Sequence, residues 1–146
     1  MRVDFYQLAP TVGPEDVAAR LAAKIVDQGE RLLIVAEDEA LLARLDRQLW
    51  EGERTSFLPH GLAGDEFEPR QPVLLSSGVD AANGARNLMI ADGQWREAAL
   101  GFERAFYLFG GDTLDGARLA WKLLSGREGV ERNFWANDGG KWVRRA

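Results

Sequence analysis

Three adjacent acidic residues are the part of this sequence with the clearest potential for metal chemistry. Glu37, Asp38 and Glu39 follow the apolar run LLIVA, and α/β proteins place ligands at the carboxyl ends of such strands. Carboxylates there could hold Mg²⁺ in a small metal-dependent enzyme or a receiver-like domain. A receiver-like site also needs a lysine at a later strand end, and LMIADG and YLFGGD contain none. We favour the alternative that Asp38 caps the helix that follows, with the acidic residues near its positive end.

The only histidine of the chain, His60, lies in the segment SFLPHGLAGD. A histidine base needs an orienting carboxylate and a nucleophile, and no GxSxG turn surrounds Ser56. One histidine in a chain without cysteine cannot build a usual zinc site. We therefore predict that His60 is a structural hydrogen-bonding residue. The apolar residues near it, at the end of the preceding helix and in the loop, indicate a packing or partner-docking edge: Trp50, Phe57, Leu58, Pro59 and Leu62.

A phosphate-binding loop is missing from the sequence. Such a loop needs closely spaced glycines between a strand and a helix, so that backbone N–H groups can approach the phosphates. Neither GxxxxGK[ST] nor GxGxxG occurs, and the first strand–helix turn, LAPTVGPED, has one glycine and two acidic residues. We therefore expect no nucleotide cofactor. Because we favour capping for the acidic residues and a structural role for His60, we also expect no bound metal and no catalytic residues.

Charge is unevenly distributed along the chain. The net charge is −5, yet residues 118–146 carry seven Lys or Arg against three Asp or Glu, together with three of the five tryptophans. The rest of the chain, before residue 118, is acidic. This argues against duplex DNA binding, which needs many cationic side chains to neutralise the phosphates. The basic, aromatic end indicates a local site for an anionic and partly apolar ligand. The alternative is a solvated end with some tryptophans in the core.

Strands and helices alternate along the chain, which predicts one α/β domain over residues 1–146. The domain should have a mostly parallel central sheet with helices on both faces, like nucleotide-binding folds but without their phosphate loop. No apolar run approaches the ~20 residues of a membrane span, so we expect a soluble, cytoplasmic protein. The segment of about 125–146 is expected to be irregular. The predicted strands are RVDFYQL, RLLIVA, SFLP, PVLLSS, LMIA and FERAFYLFG, and the predicted helices are GPEDVAARLAAKIVDQG, EDEALLARLDRQLW, DGQWREAALG and DTLDGARLAWKLLSG, the last capped by Asp112 or Thr113, with HGLAGDEFEPRQ as loop.

Several unusual segments in register resemble the chi subunit family of bacterial DNA polymerase III, part of the clamp-loader complex. These segments are DFYQL, LLIVAEDEALLARLDRQLW, SFLPHGLAGD and QPVLLSS. They follow the family pattern of F-Y-x-L, a strand running into E-D, a helix closing on L-D-x-x-L-W, then S-F-x-P-H-x-L and a P-V strand. The match covers residues 4–76 well and is looser from residue 77. The segment SGREGVERNFWANDGGKW is longer and more divergent than the family ending.

The resemblance implies a non-catalytic adaptor within the polymerase holoenzyme, itself a DNA-directed DNA polymerase. The family binds the acidic, phenylalanine-terminated C-terminal tail of the single-stranded DNA-binding protein. It also binds the psi subunit, or in some relatives a DNA-repair helicase, and needs no cofactor, duplex DNA or membrane. The family's A-R-x-x-[WY]-K motif falls in DTLDGARLAWKLL. The implied tail-binding residues are Arg118, Trp121 and Lys122, with Phe109 as a further pocket residue, and the implied psi-facing residues are Trp50, Phe57, Leu58 and Pro59.

The physical chemistry of these residue types agrees with that assignment. Arg118 and Lys122 are one helical turn apart, and Arg can hold a carboxylate bidentately while Trp121 offers apolar area. Spacing alone leaves open that Trp121 belongs to the core and Arg118 is a solvated charge. It also leaves open that Trp50 and Phe57 anchor an ordinary loop.

Overall fold

The structure, a computed structural model, describes residues 1–51, 60–64, 71–138 and 141–146. Within those ranges every helix is too short or too polar to traverse a bilayer. The strands are β1 (Arg2–Gln7), β2 (Leu32–Val35), β3 (His60–Leu62), β4 (Val73–Ser76), β5 (Asn87–Ile90), β6 (Arg104–Phe109), β7 (Glu131–Asp138) and β8 (Lys141–Arg144). The α-helices are α1 (Pro14–Asp27), α2 (Glu39–Glu51) and α3 (Leu114–Leu123), and two short 3₁₀ helices cover Glu97–Gly101 and Gly111–Thr113.

The eight strands form one sheet in the order β3-β4-β2-β5-β6-β1-β7-β8. Every neighbouring pair is parallel except β7 and β8, which are antiparallel. Alternate residues of a strand point to opposite faces, and the core is accordingly divided in two. The helices α1 and α2 pack on one face and α3 packs on the other. The prediction of a single α/β domain with a mostly parallel sheet and helices on both faces is confirmed.

The central strands are buried because helices cover both of their faces. Strand β2 has the sequence LLIV, and none of its four residues has exposed surface. Such continuous apolar runs are typical of parallel strands. Helix α1 begins at Pro14, where a missing N–H costs no hydrogen bond, and Gly29 at φ 77° follows its end. These signals explain why the sequence predicted β2 and α1 well.

Three sequence predictions are corrected by the structure. The segment of about 125–146, expected to be irregular, contains β7 and β8, because ERNFWAND extends the sheet beside β1. The start of the predicted loop HGLAGDEFEPRQ forms the short edge strand β3, which pairs with β4. The predicted helix DGQWREAALG contains only a five-residue 3₁₀ helix. The predicted strand SFLP lies outside the described residues.

A buried carboxylate joins the first strand to its two neighbours. Asp4 on β1 has no exposed surface. Its Oδ2 accepts hydrogen bonds from Arg104 on β6, with Nε at 2.9 Å and Nη2 at 2.8 Å. Its Oδ1 accepts bonds from Asn133 Nδ2 and Trp135 Nε1 on β7, both at 3.1 Å, and from Arg2 Nε at 3.2 Å. Asp4 therefore fastens the late strand β7 to the middle of the sheet.

Candidate functional site

A cavity of about 380 Å³ lies between α3 and the sheet. Helix α3 forms one wall, since its buried Ala117 and Ala120 let it approach the strands closely. The sheet forms the other walls. The lining residues are Phe5, Gln7, Phe109, Leu114, Ala117, Arg118, Trp121, Phe134 and Ala146.

Strand register brings three phenylalanines to this cavity. In the parallel pairing of β1 with β7, Phe5 lies opposite Phe134, and in the pairing of β1 with β6, Gln7 lies opposite Phe109. Residues at these positions share the face of the sheet that α3 covers. The walls of the cavity are therefore mainly aromatic and apolar.

Trp121 belongs both to the core and to the cavity wall. Its ring meets Phe5 edge-on with the centroids 5.1 Å apart, and it meets Phe134 at 6.3 Å. The side chain is nevertheless only partly buried. The two alternatives left open by the sequence are thus not exclusive, because a core tryptophan can present one edge to a ligand.

The basic residues around the cavity differ in what they can offer to an anion. Arg118 lines the cavity and is exposed, whereas Lys122 is exposed one turn further along and is not among the lining residues. Arg132 lies over the Trp121 ring, 4.0 Å from its centroid, and its Nη1 donates to the Trp121 carbonyl at 2.7 Å. Arg118 is therefore the lining side chain that can form an ion pair with a carboxylate, while Arg132 holds Trp121 in place.

Sequence reasoning did not find every residue of this site. It named Phe109, Arg118 and Trp121, which the structure brings together, and Lys122, which the structure places beside the cavity. It missed Phe5 and Phe134. The alternation of apolar residues in DFYQ and RNFW indicates that both phenylalanines lie on strands. It does not show that they line one cavity, because that depends on the pairing of β1 with β7.

A second exposed apolar feature lies near the opposite edge of the sheet. Trp50 at the end of α2 is 60% exposed, and its ring meets His60 edge-on at 5.2 Å. The His60 side chain is fully buried, and its Nε2 lies 2.9 Å from Asp46 Oδ1. The hydrogen bond predicted for His60 is therefore present, and its structural role stays a prediction. Phe57, Leu58 and Pro59 lie outside the described residues.

Two of the three acidic residues after β2 make hydrogen bonds within the fold. Asp38 Oδ1 accepts a bond from the Ala40 N–H at 3.0 Å, so the predicted helix cap is confirmed. The Glu37 N–H donates to Asp92, whose two carboxylate oxygens each accept from Arg96 at 2.9 Å. Among the described residues, no group of three or more acidic, histidine or cysteine side chains could hold a metal ion.

The start of α3 differs from the expected side-chain cap. Thr113 occupies the N-cap position, but neither it nor Asp112 caps the helix with its side chain. The Thr113 hydroxyl instead accepts a bond from the Gly110 N–H at 3.0 Å, before the helix begins. The hydroxyl therefore fastens the turn between β6 and α3.

Comparison with known proteins identifies the family. The sequence model described as "DNA polymerase III chi subunit, HolC" matches residues 1–131. The chain belongs to this family. Proteins named DNA polymerase III subunit chi are 39% identical over 92 residues in Pseudomonas aeruginosa, 35% over 66 in Haemophilus influenzae and 34% over 77 in Escherichia coli. These alignments cover 61%, 45% and 53% of this chain and 62%, 46% and 52% of the relatives. The chain thus spans about half to three fifths of the length of the curated relatives it matches.

The chi family match includes most of the cavity but not all of it. Phe5, Phe109, Arg118 and Trp121 fall within the matched residues 1–131. Phe134 and Ala146 lie beyond the match, on β7 and after β8. One wall of the cavity is therefore built by a part of this chi-family chain that the family pattern does not cover.

Proposed function

We propose that this chi-family chain is a non-catalytic adaptor of the DNA polymerase III holoenzyme that acts in the cytoplasm. Its cavity beside α3 would bind the acidic, phenylalanine-terminated C-terminal tail of the single-stranded DNA-binding protein. Its surface around Trp50 would bind a psi subunit and so reach the clamp loader. The observation that carries the proposal is the aromatic cavity with Arg118 on its wall.

The cavity combines the two properties that such a tail requires. A terminal phenylalanine ring gains most when it is buried among other rings, which favour edge-to-face contacts at centroid distances of about 5–7 Å. Trp121 already contacts both Phe5 and Phe134 at such distances beside the cavity. Arg118 offers two parallel N–H donors to the terminal carboxylate. The ring and the carboxylate would thus be recognised side by side.

The charge arrangement predicts a weak and salt-sensitive interaction. Arg118 is exposed, so its attraction to a carboxylate is screened over about 10 Å at ~0.1 M salt. A short peptide also loses conformational freedom when it binds. We expect a micromolar affinity, about −8 kcal/mol, which falls further as salt is raised.

A titration of labelled peptide tests the cavity directly. Arg118→Ala should weaken binding about tenfold or more, because a hydrogen bond to a charged group contributes ~1.5–3 kcal/mol. Arg20→Ala is the matched control, since Arg20 is an exposed arginine on α1, on the other face of the sheet. A peptide without its terminal phenylalanine should not bind either protein. Equal affinity of Arg118→Ala and the parent for the full peptide would refute the assignment.

A separate titration tests the surface at Trp50. Large aromatic side chains at the centre of an interface often contribute ~2 kcal/mol or more to the binding free energy. Trp50 is more exposed than Trp121 and so is available to a partner. Trp50→Ala should lose a purified psi subunit and keep the acidic peptide, whereas Trp121→Ala should do the reverse. A repair helicase is the alternative partner for the same surface and can be titrated in parallel. If both folded variants lose both ligands equally, the two-surface model is wrong.

A further inference from the structure

Strand β8 presents an open edge of the sheet. It is the last strand in the sheet order, and among the described residues it pairs only with β7. In an antiparallel pair, the backbone groups of alternate residues point away from the partner strand. Arg145 donates its N–H to the Phe134 carbonyl at 2.7 Å, which places the outward-facing groups on Trp142 and Arg144. These groups can receive another extended chain.

The side chains of this edge would select an acidic partner. The sequence from residue 141 to 146 is KWVRRA, with three basic residues and no acidic one. Lys141, Arg144 and Arg145 are all exposed. Basic residues on an edge strand discourage pairing with a neutral or basic strand, and opposite charges across a strand pair stabilise it. The edge is thus protected against general aggregation but suited to a peptide rich in carboxylates.

The open edge leads directly to the cavity. Ala146, two residues after β8, lines the cavity, and its carbonyl accepts a bond from the Phe134 N–H at 3.1 Å. Because Arg145 and Ala146 both bond to Phe134, two residues lie opposite one, which is a β-bulge. The end of the chain after β8 thus forms part of the cavity wall. A peptide whose last ring occupies the cavity can therefore continue along β8.

The cavity itself cannot satisfy a tail with many carboxylates. Among the described residues, Arg118 is the only basic one that lines the cavity, and it is assigned to the terminal carboxylate. The acidic residues further along the tail need other cations, and the edge strand supplies them next to the cavity. Residues 132–146, which include this edge, lie beyond the family match.

We propose that the acidic body of the tail pairs in extended form along the outer edge of β8 and adds a ninth strand to the sheet. This inference rests on the proposed function of the cavity, which holds the terminal aromatic residue of the same peptide. Main-chain hydrogen bonds to Trp142 and Arg144 would set the register, and the basic side chains would select carboxylates.

Two peptides separate the edge from the cavity. The long peptide has an aspartate-rich body of about eight residues before a terminal phenylalanine, and the short peptide has only the last three residues. The double variant Lys141→Glu/Arg144→Glu should bind the long peptide about tenfold more weakly and the short peptide as well as the parent does. Arg20→Glu/Lys24→Glu on the exposed surface of α1 is the matched control and should leave both affinities unchanged.

A modified peptide tests the main-chain pairing on the unaltered protein. Methylating alternate backbone nitrogens in the body of the long peptide removes donors without changing its charge. We expect the affinity to fall to that of the short peptide when the methylated set faces β8, and to persist for the other set. Circular dichroism should show that the double variant is folded. The methylated peptides are tested on the unaltered protein, so their result does not depend on the folding of a variant.

The possible failures differ from one another. If the long peptide binds no better than the short one, or if methylation of neither set lowers its affinity, the edge proposal is wrong while the cavity stands. If Lys122→Glu, and not the β8 variant, removes the advantage of the long peptide, the tail runs along α3 instead. If neither peptide binds the parent, the proposed function fails, and the edge proposal fails with it.

Discussion

Replacing Asp4 with alanine should destabilise the fold by about 3 kcal/mol. The substitution removes the acceptor for two side chains of β7. The indole N–H of Trp135 loses the carboxylate oxygen that accepts its hydrogen bond, and an unsatisfied buried donor costs about 1–3 kcal/mol. Asn133 loses less, because its amide also donates to Glu131 at 3.1 Å. The two contributions together account for about 2 kcal/mol.

The two arginines that contact Asp4 add the remainder. Breaking a fully buried ion pair costs about 3–5 kcal/mol, but Arg2 and Arg104 retain 41% and 33% exposure and can turn towards water. We therefore expect about 1 kcal/mol from them, as for a partly exposed pair. Arg104 also stacks over Phe106 at 4.3 Å, which gives it a second reason to remain in place.

Urea unfolding measures this loss, and a thermal melt should show a decrease of roughly 10 °C for a domain of this size. Asp80→Ala is the control, because Asp80 is exposed and its loss should change stability by less than about 0.5 kcal/mol. A loss below about 1 kcal/mol for Asp4→Ala would show that main-chain pairing alone holds β7 to β1, and the reasoning about the carboxylate would be wrong.

Three further substitutions test other parts of the structure. Asp38→Ala should cost about 1 kcal/mol in urea unfolding by removing the helix cap, and a Mg²⁺-dependent rise in melting temperature that this variant abolishes would instead indicate a metal site. Burial raises the pKa of Asp92, but its hydrogen bonds, above all from Arg96, outweigh burial and hold the pKa below 3.8. The ionised carboxylate therefore stabilises the fold above about pH 3.8 and ceases to do so as the pH falls through the lowered value, so the stability deficit of Asp92→Asn at pH 7 should shrink when unfolding is repeated near pH 3. Gly93 has φ 71° and no room for a Cβ against the Thr113 side chain, so Gly93→Ala should cost about 2 kcal/mol or more in the same assay.

Local patterns predicted the parts of the fold that local physics determines. The apolar run of β2, the four-residue spacing of leucines in α2 and the cap at Asp38 each depend on neighbours in sequence. The β7–β8 hairpin could not be predicted in this way. Its strand β7 pairs with β1, and the Asp4–Asn133 bond joins residues 129 positions apart. The charged and amide residues of ERNFWAND also interrupt the alternation of apolar and polar residues that would have predicted a strand.

The candidate site was predicted to the extent that it lies on one helix. Arg118 and Trp121 share α3, so their spacing alone placed them together. Phe5 and Phe134 reach the same cavity only through the strand order β6-β1-β7. The pattern of apolar residues within each segment does not predict that strand order. The contribution of Ala146 depends in addition on the bulge opposite Phe134.

The place of β1 between β6 and β7 has a consequence for how the protein is made. Ribosomes synthesise Phe5 at the start and Phe134 near the end of this sequence, so the first strand leaves the ribosome long before either of its neighbours exists. Non-local strand pairing of this kind is slow. Until its neighbours form, the unpaired apolar strand β1 is exposed and prone to aggregate. The cavity cannot be complete until β7 has joined β1. A nascent chain would therefore have no complete cavity to offer a ligand until its last strands had been translated.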